Sequence, residues 1–430
     1  MSPSSTRFLA AVVLCLCGAI FGAGPAVAAV PQAPDTWTRL TSLPDATGGP
    51  VLALAVDPAN PLQVLAGTSA GTVYRSLDAG ASWAAVHRDP GHYVLVLAFD
   101  PLRPGTVLAG TSGDGLWTSA DGGATWQQAP GTKGRSVRSL GFARGLVLAG
   151  TDHGALLSRP GSPWSAIAGL DQLSIAAVAV PAVNDPVRLV IGADATGGAE
   201  PLPLYSSANS GQSWAAVQGA VGGSSVVSAL AAGPLADGQR TRQLLMGTNA
   251  GIFQSGDLGA SWQAVPGGSQ LPQTDVSGIV FAGNRADHFY VSSDGGASDT
   301  GGLWTTTDGG AHLSSLVSPV PSVTALAVST ESQPLVYTAT FRPADQNVAL
   351  WAYRDTAAAP HGPAAAVPPP AEKAAGGRSP AVRSVTGLSP RQLLAGVMRG
   401  PEAPWIVLGG VAVAVLGLAM LAYLRRTRGL

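Results

Sequence analysis

Ser-Ala-Asp-Gly-Gly-Ala-Thr-Trp at Ser119–Trp126 decides how this chain folds, because the same pattern returns along it. SLDAGASW covers Ser76–Trp83, SANSGQSW Ser207–Trp214 and SGDLGASW Ser255–Trp262, and a degenerate copy, TTDGGAHL, runs from Thr306 to Leu313. The chemistry is that of a hairpin turn. Asp121 can accept hydrogen bonds from backbone N–H groups further on, and Gly123 supplies a positive φ. Thr125 can close the loop from the far side, and Trp126 begins the next strand with an apolar face to bury. The same roles fall to Ser76, Asp78, Gly80 and Trp83, to Ser207, Asn209, Gly211 and Trp214, to Ser255, Asp257, Gly259 and Trp262, and to Asp308. Ser119 opens the copy quoted first. These residues are expected to be structural, and nothing in the turn is an activated nucleophile.

Working outward, seven apolar stretches open the repeats: 51–57, 93–100, 137–143, 175–182, 227–233, 276–283 and 323–330. Rich in Val, Leu, Ile and Ala, they read as inner strands buried on both faces. Fourth strands are predicted to begin at Trp37, Trp83, Trp126, Trp164, Trp214, Trp262 and Leu313. The first of these precedes the first inner strand, and the last repeat lacks a fourth strand of its own. Trp37–Thr41 is therefore expected to complete the last blade of a closed ring, which removes the open sheet edge. The predicted fold is all-β, a seven-bladed propeller.

The motif resembles the Asp-box, or BNR repeat, of sialidase-like β-propellers. That family spans sialidases, xyloglucanases, sortilin-type receptors and a photosystem II assembly factor. The resemblance implies the propeller fold and leaves function open, since its members do unrelated things on one architecture.

Only 11% of residues are charged, and there are 56 Gly and 34 Pro, a turn-rich composition. Residues 31–355 hold 15 Lys/Arg against 23 Asp/Glu, while residues 356–430 hold 8 against 2. An acidic propeller excludes a nucleic-acid partner. Residues 1–28 read as a signal peptide: Arg7, an apolar Phe8–Ile20 and an A-x-A site at Ala26-Val27-Ala28. Both cysteines, Cys15 and Cys17, lie inside it, with a lipidated Cys17 as the alternative reading. The propeller is assigned to 29–355, a Pro/Ala/Gly-rich linker and stalk to 356–403, and a transmembrane helix to 404–424. A short cytoplasmic tail, 425–430, carries Arg425, Arg426 and Arg428. The expected location is the cell membrane, single-pass, with the propeller outside the cytoplasm.

Chemistry is sparse. Loops from each outer strand to the next inner strand share a rim with the second-to-third turns. Asp45, Asp89, Asp114, Asp152, Asp194, Glu200, Asp275 and Asp294 belong to that rim. His87, Arg88, Asp89 and His92 cluster in the loop HRDPGH, with Asp152-His153 on the same predicted rim one blade on. Together with Asp194 and Glu200 they are the candidate ligand-binding residues. Two His with an Asp could hold a metal, but a polar loop is the simpler reading, and no metal, cofactor or catalytic residue is assigned. The resemblance implies, for a sialidase, an Arg in an Arg-Ile-Pro stretch before the first repeat turn. Only Arg39 and Arg75 precede Ser76 in the mature chain, neither in that form, and Phe341-Arg342-Pro343 lies in the last blade. The expected function is a membrane-tethered binding or scaffold module for an envelope protein or glycan. The alternative is a sialidase-like glycoside hydrolase, which would need two facing carboxylates.

Overall fold

The computed structural model describes residues 34–44, 49–159, 162–182, 186–194, 203–217, 226–234, 242–271, 276–295, 301–342 and 346–357. The expected signal peptide and transmembrane helix fall outside them, as do residues 358–403 of the expected linker and stalk, Asp45, Glu200 and Asp275. Among the described residues no helix is long and apolar enough to cross a membrane.

Strand β1 (Trp37–Arg39) opens the chain. Blade 1 follows as β2 (Val51–Asp57), β3 (Asn60–Thr68), β4 (Thr72–Ser76) and β5 (Ala84–Arg88), and blade 2 as β6 (Val94–Phe99), β7 (Val107–Thr111), β8 (Leu116–Ser119) and β9 (Gln127–Gln128). Blade 3 is β10 (Val137–Ala143), β11 (Leu146–Thr151), β12 (Gly154–Ser158) and β13 (Ser165–Ala166). Blade 4 is β14 (Ile175–Ala182), β15 (Arg188–Ala193), β16 (Leu204–Ser207) and β17 (Ala215–Ala216). Blade 5 is β18 (Val227–Ala232), β19 (Leu244–Thr248), β20 (Gly251–Ser255) and β21 (Gln263–Ala264). Blade 6 is β22 (Gly278–Phe281), β23 (Phe289–Ser293), β24 (Gly302–Thr306) and β25 (Ser314–Ser315). Blade 7 takes β26 (Val323–Val328), β27 (Leu335–Arg342) and β28 (Asn347–Arg354) from the end of the chain and β1 from its beginning.

The ring is thus a seven-bladed all-β propeller of four-stranded antiparallel sheets. Its closure is the one expected: Trp37 pairs with Tyr353, Thr38 with Ala352 and Arg39 with Trp351, and the Leu40 N–H donates to the Leu350 carbonyl at 2.9 Å. Beside this seam Asp35 accepts from the Thr356 hydroxyl at 2.5 Å and from its N–H at 3.1 Å. The two ends of the folded ring are clasped together.

The core is divided among the seams between blades. Seven apolar clusters fill them, and each takes in one residue from the end of a repeat turn: Trp83 between blades 7 and 1, Trp126 between 1 and 2, Trp164 between 2 and 3. Trp214, Trp262, Leu313 and Trp37 serve the remaining four in order. A large apolar residue from the turn at every seam, an indole at six of the seven and Leu313 at the other, explains why the pattern repeats.

Trp83, Trp126, Trp214 and Trp262 stop one residue short of the strands they were expected to begin. The indole N–H of Trp126 donates back to the Gly123 carbonyl at 3.1 Å, and that of Trp262 to Gly259 at the same distance, so the ring belongs to the turn.

Candidate functional site

The two faces of the ring are built differently. On one, repeat turns bond to the start of the second strand or the connection before it in their own blade: Ala79 N–H to the Leu62 carbonyl and Gly122 N–H to Gly105, both at 2.8 Å, and Ser210 N–H to Val187 at 3.0 Å. Inside the turn the Ser119 hydroxyl donates to Asp121 at 2.7 Å and accepts from Gly123 N–H at 2.8 Å. Asp121 accepts from Thr125 N–H at 2.9 Å and from its hydroxyl at 2.6 Å. Ser76, Asp78 and Ser82 repeat this net, as do Ser255, Asp257 and Ser261. Gly123 stands at φ 83°, and a Cβ there would press on Leu65 of the preceding blade at 3.1 Å.

The departures from the pattern keep the same net. Asn209 accepts from Ser213 N–H through Oδ1 at 2.9 Å and donates through Nδ2 to the Ser213 hydroxyl at 2.8 Å. In the degenerate copy His312 replaces the hydroxyl, and its Nδ1 lies 2.7 Å from Asp308. An imidazole that carries a proton on Nδ1 donates to the carboxylate there, so the turn closes without a Ser or Thr. The carboxylates are held ionised. Burial pushes Asp78 and Asp257 up, but hydrogen bonds from Ser82 and Ser76, and from Ser261 and Ser255, outweigh it and leave both below the usual range. The same balance, with bonds from His312 and Thr306, brings Asp308 to about 2.

The opposite face carries the candidate rim. There second-to-third turns bond to fourth-to-first loops: Asp89 N–H to the Gly71 carbonyl at 2.8 Å, Gly134 N–H to Gly113 at 3.0 Å, Gly154 N–H to Leu173 at 2.7 Å and Asp194 N–H to Ser174 at 2.8 Å. Backbone bonding fixes the loop bases and leaves the side chains of the tips to vary.

His87 and Arg88 are strand residues, the last two of β5, and not part of the loop where they were expected. His87 packs its ring 4.3 Å from that of Trp117 and 6.1 Å from that of Trp126. Burial lowers its pKa against the pull of Asp89 and Asp114, so it is a neutral seam residue. Arg88 is exposed at the end of the strand. Asp89 accepts from, or is paired with, His92 at 3.1 Å, and the exposed Tyr93 follows. Asp152 accepts from Ser136 N–H at 2.9 Å and lies 3.2 Å from its neighbour His153. Asp114 takes the Trp117 indole N–H at 3.2 Å and the Gln128 amide at 2.9 Å. Asp114 and Asp152 are satisfied by their own surroundings, while His87 Nε2 and Asp89 Oδ2 are buried without a hydrogen-bond partner. Among the described residues no three His, Cys, Asp or Glu side chains gather closely enough to hold a metal ion.

Two arrangements escaped sequence reasoning. Arg138, on β10, reaches into blade 4, where Nη1 donates to Asp194 at 3.0 Å and Nη2 to the Ser174 hydroxyl at 2.5 Å. The signal was present, since Arg138 is the one charge inside the apolar stretch VRSLGFA. The second is a buried trio at the seam of blades 6 and 7. Tyr290 donates to Asp355 at 2.7 Å, and His288 Nε2 lies 3.4 Å from the same oxygen. Burial raises the Asp355 pKa, but hydrogen bonds from His288, Tyr290 and the Ala357 N–H lower it further, and it stays ionised. Sixty-five residues separate Tyr290 from Asp355, and no local pattern announces the contact.

No family model matches the chain, and no curated protein sequence does. Solved structures share its fold. A structure of YCF48 bound to D1 peptide aligns over 77% of this chain and 99% of its own with 15% identity and a TM-score of 0.51. A chain of the mitotic checkpoint complex aligns over 81% and 99%, at 14% identity and a TM-score of 0.55. The extracellular domain of a hybrid two-component system from B. thetaiotaomicron aligns over 74% of this chain and 39% of its own, at 13% identity and a TM-score of 0.53. At these identities the likeness is one of fold.

Proposed function

We propose that this chain is an Asp-box propeller that binds rather than cleaves, and that its partner is a protein or peptide met on the rim opposite the repeat turns. One observation carries the reading. The repeat turns use their hydrogen-bonding groups on themselves, with the carboxylates of Asp78, Asp121, Asp257 and Asp308 each closing its own loop. The other rim holds short loops of differing sequence on a fixed base, the usual seat of recognition. Of its carboxylates, Asp194 is engaged by Arg138, Asp89 through one oxygen by His92, Asp152 by the Ser136 N–H and Asp114 by Trp117, which suits binding better than paired-carboxylate hydrolysis. Two of the fold's neighbours, one bound to a D1 peptide and one in a checkpoint complex, sit with protein partners on the same architecture. We further propose that segment 404–424 tethers the chain to the membrane and holds the propeller outside the cytoplasm.

The test is capture from an envelope extract by the full chain, beside a fluorogenic glycosidase panel. Specific capture that is lost when Tyr93 and His92 are both replaced by Ala, with no turnover, supports the proposal. Turnover abolished by Asp89→Asn or Asp152→Asn would overturn it.

A further inference from the structure

At the start of β2, β6, β10, β14, β18 and β26 the register with the second strand slips by one residue. The slip frees one side chain per blade beside the rim that carries the fourth-to-first loops: Leu52, Leu95, Arg138, Ala176, Ser228 and Thr324. Ser277 stands at the corresponding place in blade 6. Three of these residues stitch their blade to the next. Thr324 donates to the Val51 carbonyl at 2.7 Å, and the Ser228 hydroxyl donates to that of Val276. Arg138 does the same with Ser174 and Asp194, and among the seven it is the only charged residue.

A guanidinium is an extravagant stitch. Hydroxyls of Ser and Thr do the job elsewhere in the ring, and the apolar Leu and Ala positions need none. Arg138 spends its two terminal nitrogens on a carboxylate and a hydroxyl, and its Nε–H is buried without an acceptor. The partner carboxylate is also unusual in its place. Asp194 lies at the base of the segment after β15, and its backbone forms an isolated bridge to Val226 of blade 5. Both members of the pair are about one-third exposed, at 31% and 37%, and an ion pair open to water is held weakly and exchanges readily. At these seven positions a carboxylate arriving from solution meets one cation, Arg138, and finds an internal carboxylate already on it.

We propose that Arg138 is the anchor for a carboxylate of the bound peptide, an acidic side chain or a free C-terminus, and that Asp194 occupies its place until the partner arrives. The proposal rests on the reading of the rim as a peptide-binding surface and adds its selectivity. Planar, forked donors suit a carboxylate two-point contact that a lysine or a hydroxyl cannot give. Asp194 then raises the threshold for binding: a partner must displace it, so weak or neutral ligands gain nothing from Arg138.

The experiment uses the purified full chain on an array of short synthetic peptides. Each is printed with a free C-terminal carboxylate and as the carboxamide, and with Asp/Glu or Asn/Gln at internal positions. Binding is compared for the unaltered chain, Asp194→Asn, Arg138→Gln and Arg138→Lys, with melting curves to check each fold. Asp194→Asn is expected to strengthen binding to carboxylate-bearing peptides on the order of tenfold, the worth of one charge-assisted contact. Arg138→Gln should abolish the preference for carboxylate over amide, and Arg138→Lys should restore only part of it. Peptides that bind with no change in either Asp194→Asn or Arg138→Gln would overturn this inference and leave the peptide-binding reading standing. No peptide held by the unaltered chain or by Asp194→Asn would overturn both.

Discussion

The indole of Trp37 packs at 5.2 Å, centroid to centroid, on the phenol ring of Tyr353, tilted by 41°. The two residues are the outermost pair of the register that joins the start of the folded chain to its end. Trp37 also donates from its indole N–H to the Leu316 carbonyl of blade 6 at 3.3 Å. One side chain therefore holds both the last sheet and the seam beside it. Trp37→Ala is expected to cost about 2–4 kcal/mol, somewhat below a fully buried tryptophan. Removing residues 31–41 should lower the melting temperature much further. An unchanged denaturation midpoint for the truncated chain would rule out this closure.

Asp78 offers a test of the turns with an internal control. Asp78→Ala leaves the Ser82 N–H and hydroxyl without an acceptor and should cost about 1–3 kcal/mol. Asp78→Asn should cost under about 1 kcal/mol, because Asn209 already performs the role with its amide donating to Ser213. Equal losses in the two variants would show that charge, rather than the hydrogen-bond pattern, holds the turn.

Acid should loosen the ring. Asp78, Asp257, Asp308 and Asp355 all have folded-state pKa values lowered from the ordinary carboxylate value, Asp308 to about 2. A lowered folded value means that their stabilisation is complete above the unfolded carboxylate pKa of about 3.9 and drains away as the pH falls below it. Melting temperature should be level between about pH 5 and 7 and fall below about pH 4. Asp78→Asn should make that fall shallower. A melting temperature that keeps rising as the pH drops to 3 would contradict the assignment.

The buried trio gives a separate reading at one seam. Tyr290→Phe removes a 2.7 Å hydrogen bond from an ionised, buried Asp355 and should cost about 1.5–3 kcal/mol. Burial and the nearby Asp355 raise the Tyr290 pKa, so the neutral phenol is the form the fold keeps, and its contribution is present below about pH 10 and lost above it. Phe at 290 should remove that alkaline component from the pH–stability curve.

Topology can be checked on cells. With a tag after Leu430, protease added outside should digest the propeller and leave the tag attached to the membrane. A propeller that survives in intact cells and is digested only after lysis would reverse the proposed orientation.

The sequence made the ring legible because its signals are local and periodic. A turn of eight residues and an apolar run recur often enough to count blades, and the early Trp37 showed which blade lacked a strand. Local signals also carry local errors. His87 looked like a loop ligand because Asp-Pro-Gly follows it, yet strand β5 continues through Arg88 and turns the ring into the seam, onto Trp117. His312 looked like damage to the turn, because the pattern was written in residue names and not in donors; its Nδ1 reaches Asp308 where a hydroxyl would. The Arg138–Asp194 pair and the His288–Tyr290–Asp355 trio join different blades, so their spacing along the chain carries no information about their contact.

The clasp between Asp35 and Thr356 has a mechanical consequence. The chain enters and leaves the ring at one corner, and β1 and β28 run antiparallel from that corner. A pull on the chain beyond Thr356 meets the Asp35–Thr356 bonds first, and then the Trp37–Tyr353 pair. Load at that corner peels the strands apart pair by pair, a far weaker geometry than sliding them past each other, where all the bonds share the force. The corner that closes the circle is therefore also its tear line, and the two hydrogen bonds to one aspartate are the stitch that stands in front of it.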